Sequence, residues 1–145
     1  MFSGACNYGL QAMFYIARKS SEDKNNHIDL TEIAEAENIP KHFLSKILQQ
    51  LVKRKILISM KGPTGGFKLS RSSEKISLAE VINAFDELEV FSQCGMLHKQ
   101  CDDNEPCPIH DDFKEIREKM YHLFQYKTFE KPPIETGEGK KKIKN

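Results

Sequence analysis

The chain has almost no net charge, no Cys-x-x-Cys pair, no long apolar run and no internal repeat, and each absence narrows what it does. A net charge of +1 argues by itself neither for nor against nucleic acid, so the placement of charges has to decide. No stretch is long and apolar enough for a transmembrane helix. The apolar run after Gln11 is short, is followed by Arg18 and Lys19, and lacks a small-residue cleavage site, so no secretory signal is read. The chain is therefore expected to be cytoplasmic, with no membrane partner. In a reducing compartment its four cysteines read as ligands or reactive thiols rather than as a disulfide framework. A thiol redox enzyme usually needs a Cys-x-x-Cys pair or an adjacent activating base, and without such a pair the chain is not expected to be an enzyme. At 145 residues it has room for one domain with appendages.

The charges present are segregated. Lys41, Lys46, Lys53, Arg54, Lys55 and Lys61 fall in a stretch without Asp or Glu. After Cys101 the sign reverses, with Asp102, Asp103, Glu105, Asp111, Asp112, Glu115 and Glu118 outweighing Lys114, Arg117 and Lys119. The two regions face different partners.

Periodicity supplies the elements. Leu10, Met13, Phe14, Ile16 and Ala17 recur at near-helical spacing over Ala5 to Arg18, and the polar stretch from Lys19 to Asn26 reads as a loop. Thr31 followed by Glu32, Ile33, Ala34 and Glu35 predicts a short capped helix, broken at Asn38-Ile39-Pro40. A further helix starts near Lys41, with Phe43, Leu44, Ile47, Leu48 and Leu51 on one apolar face. Ile56 to Met60 and Phe67 to Ser70 are strand-like, and the glycines of Gly62-Pro63-Thr64-Gly65-Gly66 permit the turn of a hairpin. Ser77 caps another helix with Leu78, Val81, Ile82 and Phe85 on its buried face. Ile109, Phe113, Ile116, Met120 and Leu123 alternate steps of four and three, the seam of a helix–helix contact. From Lys131 no apolar periodicity remains, and the tail is expected to be disordered.

Helix, turn, basic helix and glycine-tipped hairpin is the order of a winged helix-turn-helix, so the fold class expected is mainly α with a small β-hairpin wing. An isolated basic helix face is usually only solvated; the wing that follows turns the reading to double-stranded DNA. A helix fits the major groove and a narrow hairpin reaches the flanking minor groove. His42, Ser45, Lys46 and Gln49 are candidates for base edges, Lys41 and Lys53 for phosphates, and Lys61 and Thr64 for contacts made by the wing.

A second signal is Cys94-x6-Cys101-x5-Cys107-x2-His110, in a loop with only Met96 and Leu97 to bury besides its cysteines. Packing alone would hardly order so long a connection, whereas a ligated metal would. Thiolates suit zinc and iron–sulfur clusters, and imidazole suits both. The wide gaps favour a cluster over structural zinc, whose cysteines usually come as close pairs, with thiol redox chemistry as the remaining reading. His98 is a competing ligand within the loop. Cys6 reads as a small buried apolar residue, and His27, His42 and His122 receive no metal role.

These residues together form a pattern: Ala5-Cys6-Asn7-Tyr8-Gly9-Leu10-Gln11-Ala12, Leu30-Thr31-Glu32-Ile33-Ala34, Phe43-Leu44-Ser45-Lys46-Ile47-Leu48, Lys61-Gly62-Pro63-Thr64-Gly65-Gly66-Phe67 and the cysteine loop. Over about residues 1–128 the chain resembles the Rrf-type family of bacterial winged-helix transcriptional regulators, in its iron–sulfur-binding branch. The resemblance implies a homodimer formed through long C-terminal helices that cross, and such a dimer is expected to bind a pseudo-palindromic operator. It also implies Cys94, Cys101 and Cys107 as cysteine ligands. Some members complete a [2Fe-2S] site with a histidine matched here by His110. Others complete a [4Fe-4S] site with a carboxylate on the partner's first helix, and Asn7 stands at that position. The neutral amide favours [2Fe-2S]. Ser45 matches a position that carries glutamate in the histidine-ligated members, which argues for a different operator preference. The organisation expected is a DNA-binding domain at 1–90, a cluster loop at 91–108, a dimerisation helix at 109–128 and a basic tail at 129–145. The alternative is a zinc-stapled or metal-free regulator sensing a small ligand or thiol oxidation.

Overall fold

The computed structural model describes residues 1–23, 25–97 and 99–130. Five α-helices and one antiparallel hairpin follow in the order α1 (Gly4–Glu22), α2 (Leu30–Glu37), α3 (Lys41–Lys53), β1 (Leu57–Met60), β2 (Gly66–Leu69), α4 (Leu78–Ala84) and α5 (His110–Tyr126). This is a winged helix-turn-helix with an added C-terminal helix. The expected tail from Lys131 and the candidate ligand His98 lie outside the described residues.

Helix α1 is the centre of the body. Ala12, Met13, Tyr15, Ile16 and Ala17 are buried on its inner face, against α2, α3, α4 and β2. It continues one turn beyond the expected end at Arg18. The polar turn is held by a Lys19–Glu22 ion pair at 3.7 Å, by Arg18 and Lys19 over the Tyr15 ring, and by the Ser21 hydroxyl donating to the Arg18 carbonyl. Asp29, rather than Thr31, caps α2, its carboxylate accepting from the Thr31 N–H. Asn38 ends α2 in the left-handed conformation at φ 53° and turns the chain sharply into α3.

On α3 the residues Leu44, Ile47, Leu48 and Leu51 are buried, while Phe43 is 37% exposed and packs edge-on against Tyr8. Phe43 thus lies at the margin of the apolar face. In α4 the fully interior positions are Ala79, Val81, Ile82 and Ala84; Leu78 and Phe85, expected inside, are only half-buried at the two ends of this short helix. The segment after α5 returns to the body: Leu78 donates to the Lys127 carbonyl, Phe129 donates to that of Ile76, and the Phe129 ring sits 4.7 Å from that of Phe14. Phe129 is fully buried, so the packed domain extends past the expected tail boundary at 129.

A backbone clamp ties the wing to the connection between α1 and α2, in addition to the burial of Leu57, Phe67 and Leu69. Leu57 pairs with Leu69 and Met60 with Gly66, and Ile28, in the α1–α2 connection, exchanges two hydrogen bonds of 2.8 Å with Phe67. Gly66 permits this approach. It has φ 142°, and a Cβ there would lie 2.3 Å from the Ile28 carbonyl oxygen. Gly66→Ala is therefore expected to lower the unfolding free energy by roughly 1–3 kcal/mol, the scale of an enforced strained backbone, as read from urea denaturation midpoints.

Candidate metal centre and nucleic-acid interface

Polar bonds order the connection between α4 and α5. A 3-10 turn at Leu88–Phe91 anchors it through Phe91, which is stacked on Tyr121 at 5.1 Å. Gln93 and Gln100 then form an isolated antiparallel bridge. The Cys94 N–H donates to the Lys99 carbonyl at 2.6 Å, and the Cys101 N–H to the Ser92 carbonyl at 2.9 Å. Arg117 secures this small loop from below, donating from Nη1 to the Gln93 carbonyl at 2.9 Å. Its side chain is 5% exposed, its Nε has no hydrogen-bond partner, and no carboxylate among the described residues pairs with it. Gly95 presses against α5, where an added Cβ would meet Phe113 at 2.9 Å.

This scaffold brings the four sequence-predicted ligands to the start of α5 as two pairs. Cys101 Sγ lies 3.4 Å from His110 Nδ1. Cys94 and Cys107 are the other pair, near enough for the Cys107 side chain to lower the pKa of the Cys94 thiol. Cys107 and His110 are buried and also bonded through backbone, His110 N–H to the Cys107 carbonyl at 3.0 Å. Among the described residues, no three His, Cys, Asp or Glu side chains converge closely enough to hold one metal ion.

The surroundings of Cys94 favour its thiolate. The Met96 N–H holds the Cys94 thiol below its ordinary pKa, helped by the Leu97 N–H, the Cys107 side chain and the charge of Lys99, against a desolvation effect of opposite sign. Cys6 differs: burial, then the charge of Glu87, pushes its thiol up to about 12, as befits an inert core residue. Asp103 was not singled out from sequence, yet its Oδ1 is 2.8 Å from His110 Nε2 and 3.0 Å from Lys114 Nζ. The Lys114 hydrogen bond, and after it that of His110, holds the Asp103 carboxyl below the usual carboxylate range. The spacing of His110 and Lys114, one helical turn apart, was a readable signal for a shared partner.

The expected DNA-contacting residues lie on α3 and on the wing turn. Lys41, His42, Lys46, Gln49 and Lys53 are exposed on α3, as are Lys61 and Thr64 on the wing turn, while Ser45 is half-buried. Arg54 and Arg71 are held to the body by Asp86 and Glu80. Lys41, Lys46, Lys53 and Lys61 have no ion pair among the described residues, which leaves their charge available to phosphates.

Along α5 and its N-cap Ile109 the five seam positions differ in exposure. Ile109, Ile116 and Leu123 are 40%, 61% and 40% exposed, whereas Phe113 and Met120 are half-buried. Met120 leans on the protomer's own cluster of Cys6, Ile82 and Phe91. The outward row is thus Ile109, Ile116 and Leu123, at heptad spacing.

A profile of the Rrf2 family, described as "Iron-dependent Transcriptional regulator", matches residues 2–131. The chain is 29% identical to a candidate HTH-type transcriptional regulator of Aquifex aeolicus over 127 residues, covering 86% of this chain and 85% of that one. It is also 29% identical over 113 residues to the HTH-type transcriptional regulator IscR of Xenorhabdus nematophila, covering 78% of this chain and 66% of that protein. The fold matches CymR, the global cysteine regulator of B. subtilis, at a TM-score of 0.74 and 24% identity, over 90% of this chain and 93% of that one.

Arg117→Ala removes the bond that holds the Gln93 carbonyl from below. It is expected to lower stability by roughly 1–3 kcal/mol and to speed amide exchange at Cys94 and Cys101, measured by hydrogen–deuterium exchange.

Proposed function

The chain belongs to the Rrf2 family of transcriptional regulators, which are not enzymes, and we propose that it binds a pseudo-palindromic operator as a homodimer with an affinity set by an iron–sulfur cluster. Cys94, Cys101, Cys107 and His110 would hold the cluster, [2Fe-2S] in preference to [4Fe-4S]. When bound, the cluster supplies a redox couple and an oxidant-sensitive core. The DNA contacts come from α3 and the wing, and the outward row of α5 meets its copy in the partner subunit.

The observation that carries the cluster reading is the pairing of ligands two by two. A tetrahedral zinc ion needs its four donors around one point. A two-iron cluster takes two protein ligands on each iron, with histidine able to replace cysteine. Cys94 beside Cys107, and Cys101 beside His110, suit the second arrangement. The Asn7 side chain donates its amide to the Phe2 carbonyl and offers no carboxylate for a cluster in a partner subunit. The family description as iron-dependent supports the same reading.

A second reading, a metal-free thiol switch, draws on the lowered pKa of Cys94 beside Cys107. Hydrogen peroxide would oxidise the two thiols to one disulfide and be reduced to two waters. An anaerobic visible spectrum with iron, sulfide and zinc analysis separates these readings. Brown protein with matching iron and sulfide supports the cluster; colourless zinc protein makes the loop a staple; colourless, metal-free protein that resists reconstitution leaves the thiol switch.

Cys101→Ala is expected to lose the visible spectrum while remaining a folded dimer by size exclusion; a full spectrum would remove Cys101 from the ligand set. Lys61→Ala is expected to weaken operator binding and to reduce the salt slope by ~0.9, the contribution of one phosphate contact. Unchanged slope and affinity would take Lys61 out of the interface.

A further inference from the structure

We propose that Asp103 is a positioning residue that fixes the proton of His110 on Nε2, so that Nδ1 is the nitrogen turned to the cysteines as a ligand; this rests on the cluster reading above. The two imidazole nitrogens face different neighbours. Nε2 lies 2.8 Å from Asp103 Oδ1, and Nδ1 lies 3.4 Å from Cys101 Sγ. An ionised carboxylate only accepts hydrogen bonds, so a nitrogen at that distance must bring the proton. The reverse tautomer would set a nitrogen lone pair against a carboxylate oxygen. In the neutral imidazole the lone pair is therefore on Nδ1, where it can accept from the Cys101 S–H.

Lys114 makes the arrangement rigid. Its Nζ reaches both Asp103 oxygens, at 3.0 and 3.2 Å, and limits rotation of the carboxylate. Lys114 and His110 lie one turn apart on α5, so the same helix that carries the ligand carries the anchor of its partner. The His110 side chain is 8% exposed and that of Asp103 is 69% exposed, which puts the carboxylate between the imidazole and water. A carboxylate accepting from the second nitrogen of a metal-bound imidazole fixes the ring orientation and raises its basicity, and loss of such a partner typically weakens metal binding by roughly 10–100-fold.

Two measurements on the full chain test this. In reduced, metal-free protein, long-range proton–nitrogen spectra of the His110 ring, assigned by its loss in His110→Gln, are expected to show the Nε2–H tautomer. They are expected to show mixed tautomers in Asp103→Ala. An Nδ1–H tautomer in the wild type, or one unchanged by the substitution, overturns the proposal. In anaerobically reconstituted protein with histidine labelled at one nitrogen, the reduced cluster is expected to couple to Nδ1. Asp103→Ala is expected to release iron roughly 10–100-fold faster and to have a higher midpoint potential, with Asp103→Glu restoring part of both. Coupling to Nε2, or the same potential and iron release in Asp103→Ala, overturns it. Wild-type protein that takes up no iron and sulfide overturns the cluster reading instead, and the metal-free spectrum still decides where the proton sits.

Discussion

The burial of one face of α1 fixes where everything else lies. Met13, Ile16 and Ala17 form a wall on which α2, α3, α4 and β2 all rest, and Phe129 closes the same wall from the C-terminal side. Because α2 and α3 share this surface, the turn at Asn38 can hold them at a constant angle with little contact of its own. The exposed side of α3 is then presented as a consequence of burying Leu44, Ile47, Leu48 and Leu51, not through any interaction of the basic residues themselves. That separation matters for a DNA-binding helix. Its lysines repel one another and would not order it, so the order has to come from the opposite face.

The loop that carries the cysteines obeys a different constraint. It has almost nothing apolar to bury, and Met96 and Leu97 are about half exposed. Its shape comes from two cross-loop backbone bonds, from the Gln93 carbonyl resting on Arg117, and from the Asp103–His110–Lys114 chain. Each is a bond that water competes for, worth ~1 kcal/mol net when exposed. Such a loop buries Cys107 and His110 but leaves Cys94 and Cys101 half-buried. That suits the proposed site, which would accept and release an inorganic group while the body of the protein stays folded.

The helices and the wing were legible because local signals state them, helical spacing of apolar residues and glycines at the hairpin turn; the polar stretch likewise pointed to Cys101 and His110, which lie 3.4 Å apart. The misplacements have equally local causes. The end of α1 was set too early because ion pairs and cation–ring contacts sustain a helical turn that hydropathy reads as loop. Phe129 was assigned to a tail because a single apolar residue among polar ones has no period to reveal it; only the return of the chain to Ile76 and Phe14 buries it. Asp103 and Arg117 were hidden for another reason. Each acts across the loop, on His110 and on Gln93, and composition had placed both among ordinary surface charges.

What links the loop to the DNA-facing side is a short series of packed contacts rather than a flexible connection. Helix α5 begins at the ligands and lays Met120, Tyr121 and Phe124 on the cluster of Cys6, Ile82 and Phe91. Ile82 belongs to α4, and the end of α4 is bonded to α3: the Ala84 carbonyl accepts from Gln50 at 2.9 Å, and Asp86 holds Arg54 at 2.9 Å. A group bound at the start of α5 therefore acts on a helix whose other contacts set both the outward row of Ile109, Ile116 and Leu123 and the seat of α4 against α3. In the proposed homodimer a tilt of α5 would be applied to both protomers by the two-fold axis, and would change the separation of two α3 helices fitting successive turns of one groove. A tenfold change in operator affinity needs only ~1.4 kcal/mol of differential binding between two states, the scale of one or two of the hydrogen bonds that order this loop. The same weakness that would let the proposed site exchange its contents is thus sufficient in magnitude to regulate binding.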